Sequence, residues 1–399
     1  MADPIVILGG ARTAFGSFNG VLASQSATVL GGHAVASALV KSGVAASDVD
    51  DVVMGVVLPA GMGQAPARQA AAKAGIPWSA NCVTVNKMCG SGMQAIIQAH
   101  DAVSLGTSNV VIAGGMESMT NAPHLLRMRE NPGLRNVTKP NAVKAEDHLL
   151  LDGLCDSFGS DARLMGHFAE ATAERYQFSR QEQDAFAIAS LTRAQQAAGG
   201  FLQDEITPVT IATRKGPLEI AKDEQPQNAA IEKIPTLRPA FTKDGSVTAA
   251  NSSSISDGAA AVVITSLRRA EKLGAAPLAH IVAHTSFSRE PEWFTLAPID
   301  AIRNVAAKAG WSLASVDRFE INEAFAVVVM AAMRELCLAH ENVNVHGGAC
   351  ALGHPVGASG ARLVLTLARS LKASGLKRGI AAICIGGGEA TAVAVEIVD

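Results

Sequence analysis

The sequence predicts an α/β protein: a layered fold around a largely buried mixed sheet, built from two similar halves with a loop segment inserted between them. Three observations carry this reading. Short apolar strands alternate with helical stretches at both ends of the chain. The two ends repeat one another in the same order. The stretch between them changes character, holding most of the charge clusters and many of the prolines.

In the first half, a strand is read from Ile5 to Leu8 and a helix from about Ala27 to Lys41. A strand from Val52 to Val57, a helix near Ala65 to Ala74 and a short strand at Val83 to Val85 follow. Met93, Ile96, Ile97 and Val103 then give a helical apolar face, and Val110 to Ala113 the next strand. The alternation argues for strands buried by helices on both faces.

The second half repeats this scheme. Ala306-Ala307-Lys308-Ala309-Gly310 and Ser315-Val316-Asp317 echo Leu39 to Gly43 and Ser47 to Asp50. Gly357-Ala358-Ser359-Gly360-Ala361 echoes Cys89-Gly90-Ser91-Gly92-Met93. Ala382 to Glu389 echoes Val111 to Glu117. Three matches in order indicate an internal duplication. Residues 1–120 with 249–272 are read as the first half, 121–248 as the inserted loop domain, and 273–399 as the second half. Inside the insert, helices are expected at about Arg163 to Tyr176 and Arg180 to Gln196. Ser179-Arg180-Gln181-Glu182 is a capping start for the latter.

Composition removes several function classes. The chain has 399 residues, 48% hydrophobic and 17% charged, which suits large cores and not global disorder. Aromatic residues are 4% and the net charge is -3, so stacking platforms and basic tracts for nucleic acid are missing. The longest apolar runs, such as Ala324 to Met333, fall short of the roughly 20 residues that span a bilayer. Without a recognisable leader or address, a cytoplasmic protein is expected. The six cysteines lack metal-ligand spacing, so free thiols are expected and no metal.

Three segments carry chemistry. Cys89 sits in a glycine-rich turn that runs into a helix, where unpaired N–H groups would favour the thiolate. Taken alone, such a cysteine is more often a small buried residue. His354 lies between Gly353 and Pro355 in a glycine-dense loop, able to accept a thiol proton or hold an oxyanion. Cys384 ends an apolar strand and precedes Gly386-Gly387-Gly388, whose backbone can approach a ligand.

Together these segments resemble the signature segments of the thiolases. Asn322-Glu323-Ala324-Phe325 supplies that family's fourth motif. Gly63 to Gln69, Ala113 to Met119, Leu237 to Phe241 and Asp257 to Ala261 match in family order along essentially the whole chain, with the insert matched least well. The resemblance implies duplicated α/β halves in an α-β-α-β-α core. It implies a transferase that condenses two acetyl-CoA to acetoacetyl-CoA and CoA, or runs the reverse thiolysis.

By the same resemblance Cys89 is the nucleophile and His354 its base, and Cys384 is the acid/base at the α-carbon of the second acetyl-CoA. Asn322 holds a water, and the N–H groups of Cys89 and Gly386 form an oxyanion site. Ser253, Phe241, Met165, Leu164 and Phe325 fall at substrate-binding positions, and Arg214 or Lys215 at the nucleotide end of CoA. Coenzyme A thioesters are then substrates, no separate cofactor is expected, and the partners are a second copy or three more, with no nucleic acid or membrane.

Two departures stand out. Many short-chain members carry His-Met-Gly where this chain has Leu164-Met165-Gly166, so a larger acyl pocket is an expectation. The alternative is therefore a 3-ketoacyl-CoA thiolase of fatty-acid breakdown with broader chain length. The stretch from Leu125 to Lys144 fits the family's tetramer-forming loop poorly.

Overall fold

The computed structural model describes residues 3–126 and 145–398; residues 127–144 of the expected oligomer loop lie outside that range. The first half runs β1 (Ile5–Thr13), β2 (Gly16–Ser17), α1 (Ala27–Ser42), β3 (Asp51–Gly55), α2 (Pro66–Lys73), β4 (Asn81–Val85), α3 (Ser91–Ser104) and β5 (Val110–Ser118). The middle holds β6 (His124–Leu125), β7 (Glu146–Asp147), α4 (Met165–Tyr176), α5 (Arg180–Ala197), β8 (Ile206–Thr207), the hairpin β9 (Val209–Thr213) and β10 (Gly216–Ile220), and α6 (Glu224–Asn228). The chain then returns through β11 (Ser256–Ser266), α7 (Leu267–Leu273), β12 (Ala279–Ser288), α8 (Ala297–Ala309), β13 (Arg318–Ile321), α9 (Ala326–Leu336), α10 (Ala349–Leu352), α11 (Ser359–Ser374), β14 (Arg378–Ile385) and β15 (Glu389–Glu396).

Element ends follow local chemistry. Ser26 caps α1 by accepting the Val29 N–H, and Gly43 closes it at φ 69°. Ser179 and Glu182 form the expected capping box of α5. β5 runs on to Ser118, beyond the expected end at Ala113, because β11 pairs with it through Gly114 and Gly115.

The duplication is visible in the sheet. Its first part has the order β4-β3-β5-β11-β1 and its second part β13-β14-β15-β12. β3 and β5 are parallel, as are β13 and β14. β5, β11 and β1 are successively antiparallel, as are β14, β15 and β12. A short pairing of Val6 and Ile7 with His280 and Ala279 joins the parts.

Three apolar cores fill the four gaps between five layers, the central core serving both faces of the middle helices. Leu30, Val35 and Ala70 bury α1 and α2 on the outer face of the first part. Ile302, Val305 and Val328 bury α8 and α9 on the outer face of the second. Met93, Ile96, Val364 and Leu365 place α3 and α11 between the two. Burying about 25 cal/mol per Å² of apolar surface in three cores is the main term holding these layers.

The inserted segment is shared between the halves. β8 pairs with β1, and the β9–β10 side chains Val209, Ile211 and Ile220 join the first-half core. Phe168, Ala169 and Ala173 of α4 join the second-half core. A buried cluster fixes the first attachment: Arg12 donates to Glu205 at 3.0 Å and to both oxygens of Asp223 at 2.7 and 2.8 Å. Such charges are tolerable in a core only because each is paired.

Candidate active site

Cys89 lies in a tight turn between β4 and α3. Met88 adopts φ 47°, an uncommon region for a side-chain-bearing residue. Side chains hold that turn: Met88 N–H donates to Asn86 Oδ1 at 3.0 Å and Lys87 N–H to Ser91 Oγ at 2.9 Å. The Ser91 hydroxyl donates to the Met88 carbonyl at 2.6 Å. Lys87 pairs with Glu389, tying the turn to the loop after Cys384.

The two central helices meet at glycine. A Cβ on Gly92 would stand 2.8 Å from the Gly357 carbonyl oxygen and 2.9 Å from the Ala361 nitrogen. Gly360 faces the Met93 backbone in the same way. The repeated Gly-Ser-Gly and Ala-Ser-Gly turns thus let α3 and α11 start side by side, bringing the Cys89 turn to the His354 loop.

His354 is buried, and burial holds its imidazole down at about 3, with Arg362 adding to the depression. It is neutral at pH 7. Its Nδ1 is 2.6 Å from Ser359 Oγ, whose own proton goes to the Pro355 carbonyl at 3.0 Å. Ser359 is therefore the acceptor, Nδ1 carries the proton and Nε2 keeps its lone pair. Asn322 Nδ2 lies 3.4 Å from that Nε2. Asn322 is fully buried, and its Oδ1 has no partner among the described residues. The next residue, Glu323, turns into the scaffold, accepting from Ser190 Oγ, Asn344 Nδ2 and the Cys350 N–H.

Cys384 is the penultimate residue of β14, buried, close enough to Cys89 for one thiolate to disfavour the other. Burial is the larger cause that pushes its thiol up. The Gly386 N–H and the N–H of Cys89 itself are directed at the Cys89 sulfur. These donors do not produce the low thiol pKa that the sequence argument expected. Desolvation outweighs them, and with Glu117 nearby the Cys89 thiol is pushed up to about 11. The helix itself begins at Ser91, two residues past the sulfur. The free site therefore holds two thiols and a neutral imidazole.

Around this centre the structure gathers most of the remaining predicted residues. Met165 reaches toward Gly386. Gly166 faces the Phe241 ring, which meets the Phe325 ring edge-on at 5.9 Å. Ser253 N–H donates to the Ala324 carbonyl at 2.9 Å, beside Phe325. Leu164 is not the first residue of a helix that starts at Arg163. It is extended (φ -64°, ψ 147°) and precedes α4, which starts at Met165.

Arg214 and Lys215 are not brought to this group. They form the exposed tip of the β9–β10 hairpin, which packs on the first-half core, whereas Met165, Phe241 and Phe325 pack on the second.

Three participants escaped the sequence reading. Ser359 was seen only as part of a turn, although a hydroxyl at a helix start five residues after a loop histidine is a usable signal. Glu117 accepts the N–H groups of Val57 at 2.9 Å, Leu58 at 3.2 Å and Gly357 at 3.0 Å, clamping the first-half loop to the His354 loop. Burial pushes it up to about 7. Phe158, 71% exposed, leans over Gly387, which only the folded chain reveals.

Comparison with known proteins matches residues 5–268 to the thiolase N-terminal domain and residues 275–397 to the thiolase C-terminal domain. The chain is 45% identical over 392 residues to an acetyl-CoA acetyltransferase of Pseudomonas aeruginosa, covering 98% of each. It is 44% identical over 399 residues to the cytosolic acetyl-CoA acetyltransferase of Rattus norvegicus, covering 99% of this chain and 98% of the relative. The crystal structure of the Bacillus anthracis acetyl-CoA acetyltransferase superposes with a TM-score of 0.93 at 37% identity, covering 100% of this chain and 99% of that one.

Proposed function

The chain belongs to the thiolase family, and on that premise we propose that it interconverts two acetyl-CoA with acetoacetyl-CoA and CoA through an acetyl-Cys89 intermediate. The observation that carries this reading is the pairing of Cys89 and Cys384, on a turn packed against the loop of a neutral His354 whose Nε2 keeps its lone pair.

In the first half-reaction the Cys89 proton passes to His354 Nε2 and the sulfur attacks the thioester carbonyl. CoA leaves with the Cys384 proton. A thiolate at Cys384 and an imidazolium at His354 remain. They stabilise one another in a site where neither would be charged alone. In the second, Cys384 takes the α-proton of acetyl-CoA. The carbanion attacks the acetyl group, and Cys89 departs with the His354 proton, restoring all three groups. Splitting the reaction in this way replaces one difficult step by two easier ones.

Two oxyanion sites support the steps. The N–H groups of Cys89 and Gly386, directed at the sulfur in the free site, take the acyl oxygen once that sulfur is acylated. His354 Nε2–H and a water accepted by Asn322 Oδ1 face the enolate oxygen. Each such donor is worth roughly 3 kcal/mol. Metal and cofactor have no part in this reading; CoA thioesters are the substrates.

Incubation with acetyl-CoA followed by peptide mass spectrometry tests it: an acetyl group on Cys89 is expected, and its absence defeats the proposal. Leu164, apolar where many short-chain members have a histidine, supports room for a longer acyl chain. A thiolysis rate on 3-ketooctanoyl-CoA exceeding that on acetoacetyl-CoA would favour this alternative. We extend the proposal to a cytoplasmic homo-oligomer. Among the described residues β4 is the outermost strand of the sheet and its Val83 is 50% exposed, which supports association there, and light scattering gives the assembly mass.

A further inference from the structure

Far from the cysteines, the last turn of α3 and the strand β12 bring two imidazoles and a carboxylate together. His284 Nε2 is 2.9 Å from Asp101 Oδ1, and His100 Nδ1 is 3.1 Å from the same oxygen. The two rings meet edge-on with centroids 4.8 Å apart. The three ligand atoms all lie within 4.8 Å of one another.

A backbone irregularity builds this cluster. The β12–β15 register shifts between Ile281 and Ala283, inserting one extra residue. Before the shift, Ala279 and Ile281 face the central helices. After it, Ala283 and Phe287 face the outer core of the second half, and His284 is turned onto the end of α3. Re-aiming a side chain is a recurrent use of such bulges. A regular strand would send His284 to the opposite face.

We propose that His100, Asp101 and His284 form a site for a divalent transition metal that takes nitrogen and oxygen ligands, such as zinc, nickel or cobalt, tying the end of α3 to β12 of the second half. The chemistry of the donor set fits: imidazole with carboxylate suits these ions. Each imidazole nitrogen stands about 3 Å from the Asp101 oxygen, the separation of adjacent ligands about 2.1 Å from a metal, while the set as a whole spreads to 4.8 Å and must close slightly around an ion. A rotamer adjustment of under about 1 Å completes the set. The C-terminal end of α3 carries the negative end of the helix dipole, which favours a cation. Half of the Asp101 side chain is exposed, leaving solvent positions on the ion. The consequence is a brace between the halves on the helix whose other end presents Cys89.

Titration of the intact protein with Co2+, followed by absorption and calorimetry, tests the site. The expected result is one saturable equivalent with only the weak bands of nitrogen and oxygen ligation. Asp101→Asn, which preserves shape, should weaken binding at least about tenfold. The double variant His100→Ala/His284→Ala should abolish it while acetyl-Cys89 formation continues, which also shows that the variant is folded. No saturation below about 1 mM overturns the proposal. So does binding that survives the double variant, or a thiolate-to-cobalt band showing that cysteines are the ligands.

Discussion

Gly92→Ala puts the smallest possible side chain between the two central helices, and two effects then compete with opposite sign. In a helix, alanine is favoured over glycine by up to about 1 kcal/mol. Against this, the new Cβ would lie 2.8 Å from the Gly357 oxygen and 2.9 Å from the Ala361 nitrogen, both backbone atoms. Ordinary contact begins near 3.4 Å, so α3 and α11 must part by about half an ångström. Overpacking of this kind costs about 1–3 kcal/mol, so after the propensity gain the net expectation is a loss of about 0–2 kcal/mol. The catalytic loss should be larger than the stability loss suggests. Gly357 lies three residues from His354, and a misplacement of about 1 Å costs up to 100-fold. Urea unfolding and the rate of Cys89 acetylation by rapid quench measure the two effects. A variant more stable than the parent with an unchanged acetylation rate would refute the argument that backbone contact at Gly92 registers the nucleophile turn against the histidine loop.

Four further outcomes are expected. Cys89→Ala should give no acetyl-enzyme, whereas Cys384→Ser should acetylate yet condense slowly; near-normal condensation in the latter excludes Cys384 as the group at the α-carbon. Ser359→Ala leaves the buried Nδ1–H of His354 without its acceptor, a cost of about 1–3 kcal/mol that should lower the acetylation rate about tenfold or more in a folded protein, as circular dichroism would verify. Because His354 titrates at about 3, its neutral base form persists through pH 5, so the acidic limb of acetylation should not show a midpoint near the ordinary value of 6.5; a midpoint there contradicts the burial argument. Glu117 is raised to about 7 from 4.5, so its protonated native form is stabilising below pH 4.5 and that stability is lost as pH rises through about 7; relative to Glu117→Gln, the parent should lose about 3 kcal/mol between those values in urea unfolding, and a flat or rising difference counts against it.

The sequence carried the chemistry further than the titration states. Cys89 was legible because a cysteine between a strand and a glycine-rich helix start is locally encoded. His354 was legible from its glycine-dense loop and Cys384 from its strand end in a repeated half. Ser359 and Glu117 were not singled out, because their roles consist of contacts with loops that only folding brings near. Glu117, for example, accepts from Gly357 across 240 positions. Arg214 was read from position along an insert whose course no periodicity fixes, and the hairpin that carries it packs on the other half.

By itself the sequence determined the order of strands and helices, the duplication, and which residue types meet at the two glycine turns. These follow from patterns of two to four residues and from backbone preferences, which act locally. Tertiary structure alone decided that burial outweighs the N–H donors at Cys89, that Ser359 sets the His354 tautomer, that the insert divides between the halves, and that one extra residue in β12 turns His284 onto Asp101. Desolvation and long-range register depend on what packs against a group, and the neighbours in the chain do not specify that.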